Sequence, residues 1–244
     1  MEKMKGRGAT IVVLTAIVCL AIESGCSVRQ EVTIGMAGEG HTDINLELAP
    51  VFVYYILDLA EAFSEAENPE DIDIFEKKEI RKQVEARPGT AVERIETPSQ
   101  EKLRLSFSYN DVRKLFVTED ETPAILSFSV QDGVRRVRFY LDKQNYGLVA
   151  KLFPMLGTPV FENLAPQVEE TIPLAEYIDI IEFAMGEEGV DALQSSFINI
   201  MVKVPGTIVS QRGGTVRDGG VFFSIPLSRI ALLNEPLDFE IRYR

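Results

Sequence analysis

The sequence predicts an α+β fold, a mostly antiparallel sheet with several packed helices in a single domain, and three observations predict it. Apolar and polar residues alternate with a period of two in short runs spread along the chain. Asp132-Gly133 joins two such runs, the strongest short hairpin signal. Helical patterns fall between groups of strands, without the regular βαβ alternation of a parallel sheet.

The elements follow in chain order. Ile44, Leu46 and Leu48 alternate with Asn45 and Glu47 as a half-buried strand does. Pro50 suits the first turn of a helix reaching about Glu65, apolar almost all round in its first two turns. A second helix is predicted over 72–86, ended by Pro88 and Gly89. Leu103, Leu105, Phe107 and Tyr109 form one face of a strand. In the hairpin over 126–141, Leu126, Phe128, Val130, Val137, Phe139 and Leu141 face one way, while Ser127, Ser129, Arg136 and Arg138 make the other face polar.

Asp142 then caps a helix through Tyr146, Val149 and Phe153, and a further helix over 173–185 carries Tyr177 and Ile181, with Gly186 as its stop. Strands return at Ile198–Val204 and at Ile208. Residues 211–220 read as a glycine-rich loop between strand arms, "VFFSI" follows, a short helix "LSRIALL" comes next, and Phe239, Ile241 and Tyr243 mark the last strand.

The N-terminus has the layout of an export signal: Lys3, Lys5 and Arg7, an apolar run of 14 residues from Ala9 to Ile22, then Ser24 and Gly25. A bilayer-crossing helix needs roughly 20 residues, so a cleaved signal is expected. Ser24, Gly25 and Cys26 resemble the lipobox of bacterial lipoproteins, with Glu23 where that family has an aliphatic residue. The resemblance implies cleavage before Cys26, lipidation of Cys26 and anchoring to a membrane through that lipid. Ser27 after the cysteine implies, by the same resemblance, the outer membrane, with the body on its periplasmic or surface side. The chain has two cysteines, and cleavage removes Cys19, so the mature protein holds one thiol and no intramolecular disulfide. The expected organisation is a signal over 1–25, a polar tether over 26–41 and an α+β domain over 42–244 with a helical insertion around 142–186.

Acidic residues outnumber basic ones, 38 to 25, for a net charge of −13. Loss of residues 1–25 removes Lys3, Lys5 and Arg7 against Glu2 and Glu23 and takes the net to −14. Such a surface disfavours nucleic acid, whose phosphates need cationic partners.

The chemistry available is narrow. His41 is the one histidine, read as a surface residue, so no histidine-based triad or zinc site is expected. No catalytic residue, cofactor or metal is assigned. Acidic stretches at Glu67, Glu70, Asp71 and Asp73, and at Glu119, Asp120 and Glu121, lack the spacing and glycine of an EF-hand and read as solvated loops. Gly213, Gly214, Gly219 and Gly220 read as a wide hairpin and not a phosphate cradle, because no Lys-Ser/Thr pair or long helix follows. Phe52, Ile56, Leu59, Phe63, Tyr146, Phe153 and Tyr177 are the candidates to line a cavity for an apolar ligand.

The segment "VKVPGTIVSQRGGTVRDGGVFFSIPL", Val202 to Leu227, is similar to the LppM-type lipoprotein domain. That similarity implies a small helix-and-sheet domain able to hold lipid. The reading that results is a non-catalytic, lipid-anchored envelope protein that binds a lipid or other apolar ligand, or a protein partner of the envelope. Its alternatives are a carboxylate-dependent glycan or peptidoglycan hydrolase and a surface adhesin.

Overall fold

In the computed structural model, residues 25–63, 73–116, 123–150, 166 and 171–244 are described. Val28, Val32 and Ile34 alternate with the outward Arg29, Glu31 and Thr33, and this run forms strand β1 (Ser27–Ile34). It lies inside a seven-stranded sheet, antiparallel to β2 (Gly40–Glu47) and parallel to β7 (Phe197–Lys203). The expected tether over 26–41 is therefore corrected. Most of it is strand, and a paired strand satisfies backbone groups that a tether would leave to water.

The sheet extends on one side through β4 (Lys102–Tyr109) to β3 (Thr90–Ser99), and on the other through β10 (Gly220–Pro226) to β9 (Thr215–Arg217). All its pairings are antiparallel except β1 with β7. A second, antiparallel sheet has the order β5 (Leu126–Gln131), β6 (Val134–Leu141), β11 (Leu237–Tyr243) and β8 (Ile208–Arg212). The structure is thus α+β with a mostly antiparallel arrangement, as the alternation and the hairpin signal predict.

Register puts the apolar side chains of the large sheet on one face. Val28 pairs with Leu46 and Ile198, Leu105 with Ile44, and Val202 with Val221. Two covers share this face. The second sheet closes one part, where Ile34, Tyr109 and Phe223 join Val137, Phe239, Ile241 and Tyr243 in one core. Helices α1 (Pro50–Phe63) and α2 (Lys77–Glu85) close the rest, with Val53, Ile80 and Val84 packed among Ile44, Leu103 and Leu105. Each fully buried aliphatic side chain contributes about 1.5–3 kcal/mol. The opposite face of the large sheet carries Arg29, Glu31, Asp43, Asn45, Glu47 and Lys203 and has no cover among the described residues.

Of the helical insertion, the described parts are α3 (Tyr146–Ala150) and α4 (Leu174–Ser195). Gly186 does not stop α4. It adopts φ 69° and the helix resumes, because Ala192 and Leu193 are buried on the far side of the kink. The helix packs against α1 and against α5 (Leu227–Leu232), so the helical region extends past 186 to Ser195.

The loop over 211–220 is also corrected in part. β8 ends at Arg212 in the second sheet, Gly213 turns at φ 82°, and Thr215 begins β9 in the first. A chain that changes sheet within two residues needs the left-handed conformation glycine supplies.

Candidate functional site

Cys26 stands where β1, α4 and α1 meet. It precedes β1; its backbone N–H donates to Ser196 Oγ at 2.7 Å, just beyond α4. Its Sγ accepts the N–H of Ala49 at 3.1 Å, immediately before α1. Burial pushes the thiol pKa up, against the lowering effect of the hydrogen bonds from Ala49 and Ser196. The side chain packs with Ala49 and Ala192.

The same residue forms part of the wall of a cavity of about 540 Å³, within the range of roughly 300–1,000 Å³ typical of small-molecule sites. Leu48, Val53, Tyr54 and Leu57 supply its apolar wall. Arg29, Glu47, Gln100 and Glu101 supply its polar rim. The cavity forms there because β1 begins, β2 ends and the β3–β4 turn closes at one end of the sheet, against the start of α1.

The predicted lining set does not gather around this cavity. Phe52 and Tyr177 meet in the core between α1, α4 and α5. Ile56 packs with α2 and the sheet, and Tyr146 packs into the core between the sheets. Leu59 is half-buried on α1. The side chain of Phe63 and all of Phe153 lie outside the described residues. The cavity uses Val53 and Leu57, roughly 100° round the helix axis from the Phe52–Ile56 stripe. A helix apolar nearly all round gives no preferred stripe to a reader of sequence, whereas the neighbouring elements decide which face stays open.

The other candidates are placed as follows. His41 is in β2 and not in a tether; its Nε2 lies 2.8 Å from Asp43 Oδ2, and Glu93 is 3.5 Å from Nδ1. Asp43 is held below its ordinary pKa, first by the Ser106 hydroxyl and then by His41 and Arg94. On the cavity rim, Glu101 is also pulled down, by its own backbone N–H and by Ser99. Glu47 there is paired with Lys102 at 3.0 Å. A glycosidase acid must stay protonated near neutral pH, which calls for a raised carboxyl pKa. Among the described residues, the carboxyls with a shifted pKa, Asp43, Glu79, Glu101, Asp111, Asp238 and Glu240, are all lowered.

Both acidic stretches lie outside the described residues, except Asp73, whose Oδ1 accepts the N–H of Phe75 at 3.1 Å. Among the described residues, no group of three or more His, Cys, Asp and Glu is placed to hold a metal ion, and no helix is long and apolar enough to cross a membrane. Of the arginines at the glycine turns, Arg212 pairs with Asp238 at 2.7 Å and Arg217 stacks on Phe222.

No protein-family model matches the chain, and no curated protein matches it. Among solved structures, the folded domain of LppM from Mycobacterium tuberculosis, determined by NMR, is similar at a TM-score of 0.35 and 11% identity, over 90% of this chain and 89% of that one. That is a weak structural resemblance.

Proposed function

We propose that the chain is a non-catalytic, lipid-anchored binding module of a bacterial cell envelope, held through Cys26 and receiving an apolar ligand in the cavity beside it. The observation that carries this reading is the double position of Cys26, directly before β1 and on the wall of a cavity with one apolar side. The thiol that would carry the thioether is buried against Ala49 and Ala192 at the wall of that cavity, so the acyl chains would leave along the cavity side. Because β1 starts at Ser27, the lipid would hold the sheet end directly at the membrane, with the mouth of the cavity facing the acyl region. The anchoring membrane would be the outer membrane, and an envelope protein partner would engage the body on the side away from it.

Intact-mass measurement of protein extracted from membranes tests the anchor. The expected species begins at Cys26 and carries acyl chains, and Cys26→Ala leaves the protein in the soluble fraction. A soluble, unacylated wild-type product overturns it. For the ligand, lipid is expected to co-purify with the wild-type body and to be lost in Leu57→Arg, which puts a charge into the cavity wall. Repeated absence of lipid, with no apolar probe bound, removes that half of the proposal.

A further inference from the structure

Arg29 occupies the middle of the uncovered face of the large sheet. Register places Asn45 beside it on β2 and Asn199 beside it on β7, so the three side chains span about 10 Å at ordinary strand spacing. Arg29 is exposed and, among the described residues, makes no hydrogen bond or ion pair. That is unusual on this surface, because the acids around it are already matched. Glu31 pairs with Lys203 at 2.7 Å, Glu47 with Lys102 at 3.0 Å, and Asp43 is held by Ser106, His41 and Arg94.

The groove over this row has a volume of about 700 Å³ and is floored by Met201 and Phe222. Asn199 Oδ1 accepts from Ser224 Oγ at 2.8 Å, which fixes the amide while leaving its N–H groups to a ligand. A guanidinium fork between two amides matches one carboxylate flanked by hydroxyl groups: the fork binds the carboxylate in bidentate fashion, and amides both give and accept hydrogen bonds. A polyphosphate or nucleic acid needs several free cations; among the described residues lining this groove, Lys203 is paired with Glu31 and Arg217 lies over Phe222, which leaves Arg29.

We propose that this row, Asn45, Arg29 and Asn199, is a binding site for a carboxylate-bearing saccharide. The saccharide's carboxylate seats on Arg29, its hydroxyls on the two amides and its apolar ring face over Met201, beside the Phe222 ring that Arg217 covers. Arg29 also lies on the rim of the cavity beside Cys26, but Asn45, Asn199, Met201 and Phe222 do not line that cavity, so sugar binding reads this site and membrane extraction reads the anchor.

The test is titration calorimetry on the full chain in nonionic detergent. The probes are a galacturonate tetrasaccharide, a glucuronate-containing tetrasaccharide, the carboxyl-reduced form of each, and inorganic phosphate. At least one acidic sugar is expected to bind at least tenfold more tightly than its reduced form and than phosphate, with affinity falling as salt rises. Arg29→Gln is expected to lose at least tenfold with an unchanged melting temperature. Asn199→Asp is expected to lose as much, by supplying Arg29 with the partner it lacks. Failure of both acidic sugars to bind, equal binding of a reduced form, equal binding of phosphate, or an Arg29→Gln variant that binds like wild type would each overturn the proposal.

Discussion

Ser196 joins the two ends of the structural core to Cys26: its hydroxyl accepts the Cys26 N–H and donates to the carbonyl of Ala192. The two residues are 170 apart in sequence, and Ser196 is fully buried. Ser196→Ala removes the acceptor and leaves a buried N–H without a partner, a loss of about 1–3 kcal/mol. The expected result is a lower urea midpoint with an unchanged slope, measured by circular dichroism.

Glu240 is the acid at the centre of the outer face of the second sheet. Burial alone would raise its pKa, but hydrogen bonds from Arg136 and Arg242 outweigh this and hold it below the ordinary value. Arg212 is 3.6 Å away. A lowered carboxyl stabilises the fold above its unfolded pKa, and that contribution is lost as pH falls through the folded value. Glu240→Gln is expected to cost about 1–2 kcal/mol at pH 7, after discounting for the half-exposed arginines. The difference from wild type should shrink on acidification below about pH 4, as thermal melts across pH would read; a constant difference refutes the assignment.

Much of this fold is legible in the sequence where period and turn chemistry agree. Asp132 and Gly133 both take positive φ in the turn between β5 and β6, as an Asp-Gly hairpin requires. Strands fail to announce themselves where that agreement breaks. In β1 the inward, half-buried Gln30 interrupts an otherwise apolar set, and its amide donates to Thr42 Oγ1 on the neighbouring strand at 3.1 Å. In β3 a register shift between Val92 and Arg94 breaks the period of two, so Val92 and Ile95 both reach the core despite odd spacing. The cavity was less legible still. It depends on three chain segments ending together beside α1, which no local pattern encodes.

Tyr243 crosses between the sheets. It is fully buried in β11, and its hydroxyl donates to the Gly35 carbonyl at 2.8 Å, next to the Tyr109 hydroxyl's bond to the Thr33 carbonyl at 3.0 Å. Burial raises the pKa of both phenols. A raised phenol stabilises the fold below its unfolded pKa, and the contribution disappears as pH rises through the folded value. Stability should therefore fall above about pH 10, and the combined Tyr109→Phe, Tyr243→Phe variant should show a flatter alkaline limb. At pH 7 each single variant is expected to lose about 0.5–1.5 kcal/mol.

Gly213 and Gly214 carry the chain from β8 in one sheet to β9 in the other. A Cβ on Gly213 would lie 2.4 Å from the Phe239 ring, and the residue has φ 82°. A Cβ on Gly214 would lie 2.6 Å from Val221 Cγ1 and 2.7 Å from the Phe223 ring. Phe239 and Phe223 pack on one another in the core, with ring centroids 4.9 Å apart, so neither ring can give way cheaply. Gly213→Ala incurs both the left-handed backbone cost, about 1–2 kcal/mol, and the contact. Gly214→Ala incurs the contact alone, which overpacking data put at about 1–3 kcal/mol. Both should lower the urea midpoint, Gly213→Ala by more, and hydrogen exchange should quicken first in β8 and β9, because the short corner is what registers the two sheets. Equal stability of the two variants would mean that the backbone conformation at Gly213 contributes nothing, and the sheet-switching role assigned to it would fall.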